Sequence, residues 1–83
     1  MSSFTPPSTI YFNVGETYTI DFDQYIIGDV QNIRWTHYYG VSGAQGGTGN
    51  FTGNHGNADD KSLQVYYTID GVEAQFVIVL RSN

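Results

Sequence analysis

The sequence predicts a small all-β domain, an antiparallel sandwich of about six or seven strands. Three observations predict it. Apolar and polar residues alternate in several short runs, and no stretch carries a 3.6-residue apolar period over three turns. Near the end of the chain an Asp-Gly pair separates two β-rich runs, a strong hairpin signal because both residues tolerate positive φ.

Taken in order, Met1 to Pro7 is a Ser/Thr/Pro-rich arm that two successive prolines hold extended. The remaining chain, residues 8–83, forms a single sandwich domain on this reading. Thr9 to Val14 is a short β-rich run closed by Gly15. In Glu16 to Phe22, Tyr18, Ile20 and Phe22 point one way, and Thr17, Thr19 and Asp21 the other. Asp23 to Asp29 breaks the alternation and reads as a corner that Asp23 caps, while Asp21 faces water. Gln31 to Tyr38 alternates again, with Ile33 and Trp35 inside and Arg34 and Thr36 outside. A long Gly/Asn-rich loop is expected over residues 38–60, with most of the ten glycines and one short edge strand near Gly49 to Gly53. Ser62 to Ile69 and Val72 to Leu80 make the closing hairpin across Asp70-Gly71.

Composition narrows the function classes. Eighty-three residues bury only roughly 60–65% of the surface their unfolded chain exposes, so stability needs reinforcement. There is no cysteine to supply it, which also removes thiolate chemistry, Fe–S clusters and cysteine zinc sites. Seven Tyr, five Phe and one Trp supply large rings for a compact core. Eight acidic residues stand against three cationic ones, Arg34, Lys61 and Arg81. A net charge of −5 disfavours nucleic acid and anionic membranes, both of which require clustered Lys and Arg. The first residues form no signal peptide, and no apolar run is long enough for membrane insertion. If Met1 is the natural start, synthesis is cytoplasmic; if it is not, the domain is an excised module and that inference lapses.

Val14 to Tyr25 (Val-Gly-Glu-Thr-Tyr-Thr-Ile-Asp-Phe-Asp-Gln-Tyr) resembles the second strand and following corner of microbial immunoglobulin-like and cadherin-like modules, as found in phage and bacterial surface proteins. Gly28-Asp29-Val30 with Ile33 and Trp35 resembles their third strand, and Leu63 to Leu80 their last two strands. The likeness covers about two thirds of the chain and departs from antibody domains in lacking both cysteines. It implies an immunoglobulin-like sandwich and no particular partner.

Catalytic and metal chemistry find little footing. His37 and His55 have no metal-ligand spacing; His37 reads as a surface strand residue and His55 as a polar-loop residue. No Gly-x-Ser-x-Gly elbow is present, and the glycine run Gly43 to Gly49 lacks the Lys-Ser/Thr ending of a phosphate loop. Asp21, Asp23, Asp59 and Asp60 lack EF-hand spacing and read as solvated or turn residues. The expectation is therefore no enzyme, no cofactor and no metal.

The partner-binding candidates are Phe4 and Tyr11 on the arm side and Tyr38, Tyr39, Phe51 and His55 in the long segment. Tyrosine among small polar residues suits adaptable protein contacts and also sugar stacking; a solvated loop without a partner is the plain alternative. The arm can add a strand to a neighbour's edge, with Phe4 as its anchor. The expected function is a structural accessory protein of a larger assembly, concretely a phage capsid decoration protein that binds neighbouring subunits on the virion surface. Self-association is an open variant of that reading. The alternative is a carbohydrate- or cell-surface-binding module of an adhesin or secreted enzyme, which would place it outside the cell.

Overall fold

The computed structural model describes residues 1–40 and 43–83; Val41 and Ser42, inside the expected long loop, lie outside the described residues. Nine strand segments and one 3₁₀ turn make up the regular structure of that part, with no α-helix, so the fold is all-β. In chain order they are β1 (Ser3–Phe4), β2 (Thr9–Phe12), β3 (Tyr18–Ile20), β4 (Ile26–Ile27), β5 (Val30–Tyr38), β6 (Ala44–Thr48), β7 (Phe51–Gly53), β8 (Lys61–Ile69) and β9 (Val72–Ser82). The 3₁₀ turn spans Phe22–Tyr25.

A five-stranded sheet in the order β2-β9-β8-β5-β6 is the frame. Its pairs are antiparallel except β2 on β9, which run parallel from Thr9 against Val79 to Phe12 against Ser82. Two short antiparallel ladders, β1-β4 and β3-β7, stand apart from it. The β8–β9 hairpin turns at Asp70 (φ 48°) and Gly71 (φ 81°), the two consecutive positive φ values that a two-residue type I′ turn needs. In β5 a bulge between Gln31 and Arg34 sets two residues against one of β8, with Asn32 in the left-handed region at φ 58°. That insertion keeps Ile33, Trp35 and His37 on one face and Arg34, Thr36 and Tyr38 on the other.

Phe4, Phe12, Ile20, Phe22, Phe51, Leu63, Val65, Ile78 and Leu80 are all buried in one core, drawn from the large sheet, both short ladders and the 3₁₀ turn. Asp21, not Asp23, caps the turn: its carboxylate accepts from the Asp23 N–H at 3.1 Å, one side-chain acceptor replacing a missing helical partner.

Two expectations need correcting. The first residues are not a free arm, since Ser3 and Phe4 pair with Ile27 and Ile26. The Ser2 hydroxyl accepts from Asp29 N–H at 2.8 Å and donates to Asp70 Oδ1 at 2.6 Å, which ties the segment to two turns. The span 38–60 is not one loop, because it holds β6 and β7. Two of its glycines, Gly47 and Gly53, work as strand residues under aromatic rings. Gly47 faces Trp35 and Gly53 faces Tyr18 in register, so each ring lies where a Cβ would stand. A Cβ on Gly53 would come within 2.9 Å of the Tyr18 ring. The ring supplies the packing that glycine lacks in a strand.

Candidate functional site

The site builds up from β5. The alternation that turns Trp35 inward also turns His37 inward, and His37 is only 9% exposed. β6 runs beside it and sets Gln45 opposite His37. β7 brings Phe51, whose ring meets Trp35 edge-on at 4.8 Å and His37 at 5.2 Å. The chain then folds back after β7, where Gly15 N–H donates to the His55 carbonyl at 2.9 Å and the His55 ring is buried. There His55 packs at 4.5 Å on Phe12 and 5.3 Å from His37. Asn54 fastens the same segment, donating to the Gly15 carbonyl and to Thr17 Oγ1.

These residues surround a cavity of about 380 Å³, lined by Trp35, His37, Tyr39, Gln45, Phe51 and His55 together with residues of the β7–β8 connection and Lys61. Lys61 is buried, its ammonium bonded to the Asn57 carbonyl, Asn57 Oδ1 and the Asp59 carbonyl, with its charge 5.2 Å from the Phe12 ring centre. Three acceptors match its three N–H donors, which is how a cation is tolerated there.

Burial lowers the His37 pKa, and the nearby Lys61 charge adds to the effect. His55 is lowered by burial first, then by His37 and Lys61. Burial pushes the Tyr18 phenol up to about 12. Tyr18 Oη and His55 Nε2 lie 2.6 Å apart. The phenol and the neutral imidazole share one hydrogen bond, whose direction follows the tautomer: Tyr18 donates if the imidazole proton is on Nδ1 and accepts if it is on Nε2. Both shifts move the pair away from proton exchange at neutral pH. Two buried nitrogens, Trp35 Nε1 and His37 Nε2, have no hydrogen-bond partner among the described residues.

The expected site residues separate into three places. Phe4 lies in the core at the other end, its ring 4.7 Å from Tyr67 and 6.1 Å from Phe22, so it is not available as an anchor on a neighbour. Tyr39, Phe51 and His55 come together at the cavity, but Phe51 and His55 are buried and only Tyr39 is exposed. Tyr11 and Tyr38, 60% and 40% exposed, lie on the opposite, outer face of the large sheet. His37, expected on the surface, is buried; so is His55, expected in a polar loop. Tyr18, Trp35 and His37 complete the site and were not among its expected residues. Period 2 through Ile33 and Trp35 carries the signal for His37.

Among the described residues no group of three or more His, Cys, Asp and Glu could hold a metal ion, and no helix is long and apolar enough to cross a membrane. No family model, curated protein or solved structure matches the chain.

Proposed function

We propose that this domain is a structural accessory protein of a larger assembly, with a capsid decoration protein as the concrete reading, and that it docks through the outer face of its five-stranded sheet. The observation that supports this is the charge distribution. On that face Arg34 pairs with Glu73 at 2.9 Å and Arg81 with Asp60 at 3.1 Å, so its charges cancel locally. The other six carboxylates, Glu16, Asp21, Asp23, Asp29, Asp59 and Asp70, all lie outside the strands of the large sheet. Between the ion pairs the face presents Tyr11, Thr36, Tyr38, Gln64, Val77 and Val79, with Val77 50% exposed. Tyr38, Ser62, Val79 and Arg81 border a shallow depression of about 400 Å³. Protein interfaces are enriched in tyrosine and depleted of unpaired charge at their centre, and this face has that character within an acidic domain.

The fold fits an immunoglobulin-like reading of the same domain. Strands β6-β5-β8-β9 follow the order C′-C-F-G, and β3 pairs β7 as strand B pairs E. Trp35 fits the position of the buried ring on strand C and packs edge-on against Phe51 of the strand matched to E. The parallel β2 extends the G edge.

Size fractionation of the native source tests the function. The protein is expected in the particle fraction at fixed stoichiometry, and Val77→Glu or Tyr38→Glu is expected to release it while Asp21→Lys is not. Recovery only as free protein, or full occupancy by both glutamate variants, would overturn the reading.

A further inference from the structure

The cavity around His37 faces away from the proposed docking surface and goes beyond that reading. We propose that it binds a neutral, hydroxyl-rich sugar ring, such as the terminal residue of a glycan. Four features on the lining converge on this ligand.

First, the volume of about 380 Å³ lies in the small-molecule range and admits a single pyranose with its substituents. Second, two buried nitrogens face unmet hydrogen bonds: the Trp35 indole N–H, a donor only, and His37 Nε2 on a side chain 9% exposed. Both nitrogens are enclosed, so a hydroxyl meets either one after a small shift of its ring and then satisfies it, because a hydroxyl both accepts and donates. Third, the remaining lining alternates rings with amides. Tyr39, 38% exposed, offers aromatic surface, and Gln45 offers an amide. Asn54 Nδ2 is held by Gly15 and Thr17 and Asn57 Oδ1 by Lys61 and Asp59, which leaves Asn54 Oδ1 as an acceptor and Asn57 Nδ2 as a donor. Fourth, the charge pattern selects against ions. No carboxylate lines the cavity, which leaves a cationic ligand without a counter-charge. Lys61 lines it, but its three donors are already taken by Asn57 and Asp59, so a phosphate would find no free cationic donor.

Trp35 is the single tryptophan of the chain, so its fluorescence reports the cavity directly. The experiment titrates the intact domain with glucose, galactose, mannose, N-acetylglucosamine and N-acetylgalactosamine and follows tryptophan emission. A saturable change with at least one sugar at millimolar concentration is expected. For that sugar, His37→Phe and Gln45→Ala should each weaken binding about tenfold or more while the melting temperature shows both variants folded. Val77→Glu, on the outer face, should leave sugar binding unchanged. No saturable change with any of the five sugars would overturn the proposal, as would unaltered affinity in both folded cavity variants. Failure here leaves the docking reading standing, since that reading rests on residues of the opposite face.

Discussion

The two ends of the core use aromatic rings for different purposes. At one end Phe4, Phe22 and Tyr67 pack edge to face, and Phe4 and Phe22 bring no polar side-chain atom with them. At the other end Tyr18, Trp35, His37 and His55 pack just as closely but carry nitrogen and hydroxyl groups into the interior, two of them unmatched among the described residues. The first arrangement maximises apolar burial. The second gives up stability by leaving two buried nitrogens unmatched among the described residues.

Substitutions at each end should therefore differ in sign. The largest effect is expected from Phe4→Ala, a loss of about 3–5 kcal/mol in urea unfolding, comparable with truncating any buried core phenylalanine. A loss under about 1 kcal/mol would return the first residues to a loosely held arm. Gly47→Ala comes next. Its Cβ would collide with the Trp35 indole, and overpacking of that kind costs about 1–3 kcal/mol. The same variant should shift tryptophan emission, because the indole must move. His37→Phe should act in the opposite direction, raising stability by about 1 kcal/mol, since it replaces an unmatched buried nitrogen with carbon of similar shape.

The smallest effect concerns pH and is confined to the imidazole end. His37 and His55 have folded pKa values below the ordinary 6.5, so on acidification the unfolded chain takes up protons first. Stability is complete above about 6.5 and falls as pH drops through the window between that value and the lowered folded values. His37→Phe should flatten this fall in a series of thermal melts. Tyr18 acts at the other extreme: its phenol is raised from 10.0 to about 12, so stability is complete below 10.0 and is lost as pH rises toward 12. Tyr18→Phe should remove that alkaline component. Phe4→Ala should leave the shape of both limbs unchanged.

Much of the frame was legible because it depends on local signals. The Asp70-Gly71 turn fixes β8 against β9, and alternation through Tyr18, Ile20 and Phe22 marks an inward face that the structure keeps. β6 was not legible. Ala44 to Thr48 has glycine at two of its central positions, and the packing that makes it a strand comes from Trp35 on a neighbouring strand. The burial of Phe4 was hidden for a related reason, since Pro6 and Pro7 mark an extended chain and say nothing of where it lies. For the site, Tyr39, Phe51 and His55 belong to a segment whose mixture of rings and amides drew notice in the sequence. His37 was within reach of the alternation rule, but a lone polar residue next to Tyr38 and Tyr39 reads more readily as surface. His55 depends on the hydrogen bond from Gly15 to its carbonyl, a long-range contact without a local signature.

The parallel seating of β2 bears on the timing of synthesis. β9 follows every other strand of the large sheet in the chain, yet it lies between β2 and β8. Thr9 leaves the ribosome early and must wait for Val79 before it has a partner. β6, β5 and β8 can pair with one another before β9 appears, but β2 cannot join the sheet until β9 is free, and folding is slowed by that long-range requirement. A nascent chain stalled before β9 should remain open to protease across Thr9–Phe12, whereas one extended beyond Ser82 should become resistant there.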